Sequence, residues 1–430
     1  MQGPLCPCQR CCTATAAAPP ARSSSPPCGR WSLHGSAGAI TALQNSVAHY
    51  YQRASSADYL GVDPTRRSLT GTGGYVKVGR KGNAKWNFSE TFTWSSPGFD
   101  LNDMGYMKET DYLMNETEIM YRQTDIWKIF RYNAFTLSQK NMWNYGGTPF
   151  SNNASLRWQS MTMNRYEWDV KETFAWNWLD SRLLRGGPDV RFGSYFLTSA
   201  KFNTDKAKRM MFMLKYEGDH NFEGNRFNTI SPSLTFRLGN HVYLSGQLDY
   251  AWNTDEMQYV ATTSPLSSSS LTPYYYVMGH MDQKTYGLTL KLQVNVTPDI
   301  SIQFYGAPFT SIAKYDDFKL AADTKSHTFE NRFQRIDPDH LTYVDGVYTI
   351  GEGAGQMPFR NPDFRFNEFR SNLVARWEYL PGSTLYFVWE HRMSNRDNWY
   401  SSGWGSNLDR MWGLPATNTF MIKMNYWFNL

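Results

Sequence analysis

Long runs of alternating apolar and polar residues constrain this chain more than any other feature of its sequence. In residues 166–178, one face of an extended chain carries the apolar side chains of Tyr166, Trp168, Val170, Phe174, Trp176 and Trp178, and the other face is polar. Residues 285–297 repeat the pattern with Leu288, Leu290 and Leu292. Several runs reach about 10 to 13 residues, which is long enough for a tilted strand to cross a bilayer, whereas strands of soluble proteins average about five or six.

The composition agrees with strands that have one apolar face. Aromatic residues make up 16% of the 430 residues, yet only 41% of the chain is hydrophobic, and the mean hydropathy is −0.56. Aromatic side chains in alternation with polar ones are typical of a barrel wall that faces lipid on one side and water on the other. No run approaches 18 consecutive apolar residues, so the sequence predicts no helical membrane span.

The connections between the runs alternate in length. Short turns are predicted near 81–83, 163–165, 239–240, 297–299 and 380–382. Longer loops are predicted near 95–112, 141–153, 179–191, 218–228, 254–282, 307–365 and 393–417. Short connections on one side and long ones on the other are the topology of an outer-membrane barrel, with turns in the periplasm and loops outside.

These features predict an all-β fold: an antiparallel transmembrane β-barrel of about 14 to 16 visible strands in a bacterial outer membrane. About fifteen strands follow residue 74, and the stretch from Asn45 to Gln52 is the candidate for a sixteenth. An incomplete barrel is one alternative. A soluble β-rich domain is another, and it predicts that the apolar faces meet in a core.

The first forty residues differ from the rest. All five cysteines, at 6, 8, 11, 12 and 28, lie here among Pro, Ala and Ser, without apolar periodicity and without a secretory signal. Their spacing lacks the second Cys or His pair that a zinc site needs. We therefore expect residues 1–40 to be a disordered or artefactual leader and residues 41–430 to form the barrel domain.

Little in the sequence indicates chemistry. The formal charge of +5 without a block of like charges gives no sign of a nucleic-acid partner. No nucleophile, metal or nucleotide motif occurs, which favours a non-enzymatic role, with no catalytic, cofactor-binding or metal-binding residues and no cofactor. His391 beside Glu390 and Arg392 is the nearest approach to a catalytic group. Calcium bound by acidic residues of the 307–365 loop is an alternative to their being simply solvated.

Aromatic residues near predicted loop ends are the candidate ligand-binding side chains. Rings at such positions stack on sugars or form the aromatic girdle of a membrane protein, and the girdle is the first interpretation. The candidates for sugar stacking are Trp399, Tyr400, Trp404 and Tyr275.

Four stretches carry a family resemblance: residues 50–75, 96–107, 185–191 and the closing FMIKMNYWFNL at 420–430. In these the chain resembles the C-terminal β-barrel domain of uncharacterised outer-membrane proteins of Bacteroidota, which carry an N-terminal domain similar to family 9 carbohydrate-binding modules. The resemblance implies that the chain is an N-terminally truncated member. The final strand, which ends on Leu430 instead of an aromatic residue, resembles the signal recognised by the outer-membrane assembly machinery.

The expected role is therefore a membrane anchor or scaffold for a carbohydrate-binding module that this chain lacks. The expected partners are outer-membrane lipid and the assembly machinery, and glycans are a further candidate. Two alternatives are an oligosaccharide uptake channel, lined by residues such as Asp169, Lys171, Lys291 and Gln293, and a membrane-associated hydrolase with its site on the extracellular loops.

Overall fold

The computed structural model of the protein describes residues 29–46, 49, 60–80, 82–102, 107–266, 274–397 and 404–428. Most of these residues lie in strands: β1 (Gly29–His34), β2 (Ser68–Arg80), β3 (Trp86–Ser95), β4 (Tyr112–Gln123), β5 (Phe130–Trp143), β6 (Pro149–Thr162), β7 (Glu167–Trp176), β8 (Trp178–Asp180), β9 (Val190–Phe192), β10 (Tyr195–Asn203), β11 (Met210–Asn221), β12 (Arg226–Leu238), β13 (Val242–Thr263), β14 (Tyr275–Asn295), β15 (Ile300–Ala321), β16 (Phe333–Arg335), β17 (Leu341–Val344), β18 (Val347–Ile350), β19 (Met357–Arg360), β20 (Phe364–Leu380), β21 (Ser383–Asp397) and β22 (Thr417–Asn425). The helices are α1 (Ala37–Gln44), α2 (Trp404–Trp412) and three short 3-10 turns at Glu330–Arg332, Pro338–His340 and Gly353–Gly355. None of the described helices has the length and apolarity needed to cross a membrane.

One antiparallel sheet of 17 strands dominates the structure. Strand β16 is a short addition to the end of β15, and the other sixteen form a meander in which each strand pairs with the next along the chain. The small strands β8 and β9 form one separate hairpin, and β17 to β19 form a second sheet. The prediction of an all-β antiparallel fold is confirmed.

All of the long connections of the meander lie at one of its two ends, and the other end has short connections only. At one, the turn end, strands are joined through 81–85, 124–129, 163–166, 204–209, 239–241, 296–299 and 381–382. At the other, the loop end, they are joined through 35–67, 96–111, 144–148, 177–194, 222–225, 264–274, 322–363 and 398–416. Gly239 and Gly382 have φ values of 62° and 78°, which tight turns require and which glycine adopts without strain. All five predicted short turns lie at the turn end.

Two predicted long loops are wrong, and those predicted at 254–282 and 307–365 are shorter than expected, because β13, β14 and β15 continue into them. The predicted loops at 141–153 and 218–228 are tight connections at 144–148 and 222–225, because β5, β6, β11 and β12 continue into them. Asn144 accepts a hydrogen bond from the backbone of Gly147 at 2.9 Å, which closes the first of these turns. Segments rich in Asp, Asn and Gly are typical of loops, but pairing with the neighbouring strand keeps these residues extended.

The predicted leader also needs correction at its end. Residues 29–34 form β1 and pair with β2 from Gly29 opposite Gly73 to His34 opposite Ser68. Helix α1 begins inside the predicted leader as well, and the Ser36 side chain caps it by accepting from the Ala39 N–H at 3.2 Å. The sixteenth strand is therefore β1; of the predicted one, residues 47, 48 and 50–52 lie outside the described residues.

Apolar packing is concentrated at the loop end. Among the described residues, the three clusters of buried apolar side chains are centred on Met281 and Tyr315, on Met257 and Met278, and on Ile40 and Leu69. The first is covered by Ile350 of β18 and Phe359 of β19. The packed core therefore lies between the loops and the strand ends beneath them, and not in the middle of the sheet.

Candidate functional site

One face of the meander, the apolar face, exposes aromatic and aliphatic side chains. Direct partners on β3 to β6 illustrate it: Phe88, Ile119, Leu137 and Leu156 are 54%, 43%, 55% and 56% exposed. A second row on β13, β14, β15, β20, β21 and β22 consists of Leu244, Leu292, Phe304, Leu373, Trp389 and Phe420. Because successive residues of a strand point to opposite faces, both rows lie on this same face of the sheet, which also carries Glu90 and Glu172.

The other face, the polar face, carries charges that are paired with one another. Arg157 on β6 makes a bidentate contact with Asp169 on β7, with Nε 2.8 Å from Oδ1. Glu368 accepts from Arg370 at 2.8 Å and from Arg392 at 3.0 Å. All of these ion-pair side chains are at least 14% exposed, so water reaches the face. A face with this many charges suits contact with water and not with lipid.

Hydroxyl side chains also lie on the polar face, where they form hydrogen bonds with one another and with amide groups. Ser138 and Ser155 lie 2.6 Å apart, and Ser311 lies 2.9 Å from both Gln283 and Thr285. Ser155 and Ser311 are buried while the neighbouring Leu156 is exposed. The burial order of an ordinary soluble sheet is therefore reversed along these strands.

A recess of about 250 Å³ lies on the polar face toward the turn end. Its lining includes Tyr243, Lys291, Gln293, Gln303, Tyr305 and Asn372. Lys291 and Gln293 were among the predicted channel-lining residues, and both lie in this recess. The other two, Asp169 and Lys171, lie on β7, on the same face but several strands away.

Two loops meet over the loop end. From β10 to β15 the sheet is six strands wide, roughly 24 Å at about 4.8 Å per strand. The loops that flank this part nevertheless touch: the Arg191 N–H donates to the Thr324 carbonyl at 2.9 Å, and the Thr324 hydroxyl donates to the Asp189 carbonyl at 2.7 Å. The 177–194 and 322–363 loops therefore cross this part of the sheet together.

A buried ion pair holds these two loops to the 222–225 turn. Arg332 is 1% exposed and makes a bidentate contact with Glu223 of the 222–225 turn, at 2.9 and 2.7 Å. Its guanidinium also donates to the carbonyls of Arg191, Ser326 and His327. No sequence motif predicts this ion pair, because its two residues lie far apart in the chain.

The predicted sugar-stacking residues are not brought together by any described contact. Trp399 and Tyr400 lie outside the described residues. Trp404 is the first residue of α2, and its side chain is likewise outside the description. Tyr275 is half-buried at the start of β14, opposite Thr263. Sugar stacking by these four residues stays a prediction.

Two of the described histidines contact carboxylates. His280 has Nδ1 3.1 Å from Glu256 and Nε2 3.6 Å from Asp282, and buried His49 contacts the Pro97 carbonyl and Asp100. Both ring nitrogens of His49 are within hydrogen-bond distance of these groups, so neither is left for a nucleophile, whereas the Nε2 of His280 lies beyond hydrogen-bond distance from Asp282. His391 lies on the apolar face, 2.8 Å from Asn418, while the neighbouring residues of β21 point to the other face.

No group of three His, Cys, Asp or Glu side chains positioned for a metal ion occurs in the described part of the chain. The acidic residues considered for calcium, Asp316, Asp317, Asp337, Asp339, Asp345 and Glu352, are all within that part. Asp317 instead contacts Lys319, at 3.4 Å, and Arg335. The calcium alternative therefore has no support from the geometry.

Comparison with known proteins gives a family without an assigned activity. No curated protein matches the chain, and no solved structure matches it. A family model described as a domain of unknown function, DUF5916, matches residues 35–430. This match spans the whole meander except β1, and the chain therefore belongs to the DUF5916 family of domains.

Proposed function

We propose that this chain is a transmembrane β-barrel of the bacterial outer membrane that serves as an anchor or scaffold. In this proposal the apolar face contacts lipid and the polar face surrounds a wet lumen. The long loops lie outside the cell, and the short turns lie in the periplasm.

The exposed apolar face is the observation that carries the proposal. Burying apolar surface is worth about 25 cal/mol per Å², so a continuous row of half-exposed Phe and Leu side chains would be a large penalty in water. Lipid removes that penalty. The alternative of a soluble domain required the apolar faces to meet in a core, whereas Phe88, Leu137 and Leu156 are exposed.

Strand length and end asymmetry support the same proposal. Strands β3, β7 and β22 have 10, 10 and 9 residues, and β5 and β6 have 14 each. A tilted strand needs about 9 to 11 residues to cross the hydrocarbon of a bilayer. Confinement of all the long connections to one end is the arrangement that such barrels use.

The covered loop end favours an anchor over an open pore. Loops 177–194 and 322–363 are fastened to each other and to Glu223, which closes part of the extracellular mouth in the proposed orientation. A scaffold needs no open lumen. We extend the proposal to the partners: the assembly machinery would bind the final strand, and a carbohydrate-binding module would be the cargo.

Heat-modifiability tests the proposal directly. The full chain is refolded in detergent, and its gel mobility is compared with and without boiling, alongside circular dichroism. A mobility shift with a strong β signal is expected, because closed barrels resist unfolding by detergent at room temperature. Good solubility in plain buffer without a shift would refute the membrane assignment.

An oligosaccharide channel is the second candidate, favoured by the recess on the polar face. Its lining combines tyrosines with amide side chains, and glycans would be the solutes. Conductance in a planar bilayer separates the two candidates: steady current through the unmodified chain supports the channel, and its absence supports the anchor. The hydrolase alternative has no supporting observation in the described residues.

A further inference from the structure

Two strand edges of the meander have no partner in the described structure. Strand β22 pairs only with β21, and all nine of its residues are exposed. Strand β1 pairs only with β2. An unpaired edge presents a row of free N–H and C=O groups, and inside hydrocarbon each such group costs several kcal/mol. If the proposed membrane location is correct, these edges need partners.

Backbone hydrogen bonds show which edge of β2 carries β1. The Gly35 N–H donates to the Arg67 carbonyl on the β1 side at 3.0 Å, and the Ser96 N–H donates to the Thr72 carbonyl on the β3 side at 2.8 Å. Carbonyls an odd number of residues apart in a strand point to opposite edges. Strand β1 therefore lies on the edge away from β3, which makes β1 and β22 the two ends of the meander.

Strand direction decides which pairing is possible. Every pair in the sixteen-stranded meander is antiparallel, so direction alternates from β1 to β22. The first and the sixteenth strand therefore run in opposite directions. Pairing of β22 with β1 keeps the sheet antiparallel throughout, whereas pairing of β22 with β2 would be parallel.

A typical strand tilt, combined with the observed registers, gives the offset of such a pairing. One line of direct partners runs from Asn418 through His391, Ser371, Gly306, Leu290, Gly246 and Leu234 to Phe212. When this line of direct partners is continued through the registers of the remaining strands, it reaches a position about 18 residues before His34. Closing the sheet with His34 opposite Asn418 therefore requires a total register shift of about 18 residues around the barrel. Over sixteen strands, a drift of that size corresponds to a strand tilt of about 40°, from about 3.3 Å per residue and 4.8 Å per strand. Transmembrane barrels have tilts of about 35–45°.

We infer that the free edge of β22 binds the free edge of β1, which closes the sheet into a sixteen-stranded barrel with Ser32 opposite Phe420, to within one two-residue step. This inference rests on the proposed membrane location. It joins the two ends of a sheet whose apolar face already includes Phe420, Ile422 and Met424, which are 64%, 73% and 63% exposed. The even step follows from the alternation of faces: the observed registers place Ser32 and Thr70 on the same face of the sheet as Phe420, and an odd step would exchange the two faces.

Cysteine cross-linking tests the pairing. In a chain whose native Cys6, Cys8, Cys11, Cys12 and Cys28 are changed to Ser, Ser32→Cys is combined with Asn418→Cys, Phe420→Cys or Ile422→Cys. The matched control combines Ser32→Cys with Phe387→Cys, which is on the same face but one strand further away. After mild oxidation of the membrane-embedded protein, one of the three pairs is expected to form an intramolecular disulfide at least about tenfold faster than the control, because neighbouring strands bring Cα atoms within about 4.4–6.8 Å.

Three results would overturn the inference: equal rates for the test and control pairs, no disulfide in any pair, or disulfides only between two copies. Leu33→Cys with Thr419→Cys or Met421→Cys repeats the test on the polar face if the first variants fail to fold. Gel mobility before oxidation separates the two proposals. A heat shift without a cross-link refutes this seam only, whereas a soluble, unshifted chain refutes the membrane location itself.

Discussion

The middle of the sheet and its loop end are stabilised in different ways. In the middle, apolar side chains such as Leu137 and Leu156 are exposed and serines such as Ser155 are buried. At the loop end, Ile350, Phe359 and Tyr315 form a packed cluster, and a buried Arg332 meets Glu223. The loop end follows the rules of soluble proteins, whereas the middle has the reversed burial order that the proposed lipid environment would stabilise. The two regions should therefore respond differently to the same kind of mutation.

The largest effect is expected from breaking the loop-end ion pair. Arg332→Ala leaves the Glu223 carboxylate in a mostly buried site without its partner, and loss of one member of such a pair costs about 3–5 kcal/mol. We expect rapid proteolysis within 322–363, while the heat shift of the sheet persists. Simultaneous loss of the heat shift would mean that the two regions are one cooperative unit. Lys325→Ala, which removes a more exposed ion pair with Asp189, is the control.

A charge on the apolar face should be nearly as costly. Ile230→Arg places a cation where lipid is expected, at about 2–4 kcal/mol near the bilayer midplane. The adjacent Thr229→Arg is the matched control, because residue 229 lies on the polar face opposite Glu217. Urea titration of the protein in lipid vesicles measures both. Equal destabilisation by the two variants would show that both faces of the sheet contact the same solvent.

Removal of one methylene group gives a finer comparison. Ile350 is 6% exposed in the loop-end cluster, and Ile350→Val should cost about 1 kcal/mol. Ile119→Val, at a 43% exposed position of the apolar face, should cost much less, because lipid chains fill the space that the methylene leaves. Hydrogen exchange of the corresponding strands measures each cost. A larger loss of stability at position 119 would contradict the proposal that the apolar face contacts lipid.

The smallest expected effect concerns Asp363, in the connection between β19 and β20. Burial raises the pKa of this carboxyl, against the opposing effect of the Tyr315 N–H, which donates to it at 2.7 Å. A raised pKa in the folded state means that the folded loop binds a proton more tightly than the unfolded chain. Stability of the loop should therefore rise as pH falls from above this raised pKa toward the ordinary value.

Asp363→Asn keeps an acceptor for the Tyr315 N–H and removes the charge. The variant should be slightly more stable than the parent at neutral pH and should lose this pH dependence. Exchange protection of β18 and β19, corrected for the intrinsic effect of pH on exchange, is the measurement. An unchanged pH profile in the variant would assign the dependence to another group.

The strands of the sheet could be predicted because period-two alternation survives in them wherever one face is apolar. Residues 166–178 and 285–297 are examples, and the short turns follow from Gly and Asn between such runs. Alternation disappears where strands extend beyond the apolar face. Gly218, Asp219 and His220 belong to β11 because β10 and β12 both pair with them, and the short β1 is a strand because it pairs with β2. Pairing with a neighbour, which local sequence does not encode, decides such segments.

The candidate site was predicted less well than the fold. The sequence placed Lys291 and Gln293 on a polar face, and both line the recess there. It gave no indication of the Arg332–Glu223 pair, because one arginine among many in a polar loop carries no signal of burial. Contacts between distant loops depend on how the whole sheet positions its ends, and they are visible only after folding.

The meander has a consequence for the order of assembly. Each strand pairs with the next along the chain, so almost all of the sheet forms from local hairpins whose ends need little diffusion to meet. The proposed seam is the exception, since its two strands are separated by nearly the entire chain. The entropic cost of closing a segment rises by only about 0.6 kcal/mol for each doubling of its length. The proposed seam, however, cannot form until the hairpins have formed. The rate at which the barrel becomes resistant to detergent should therefore report seam closure, and substitutions in β1 or β22 should slow that step while leaving the earlier gain of β structure unchanged.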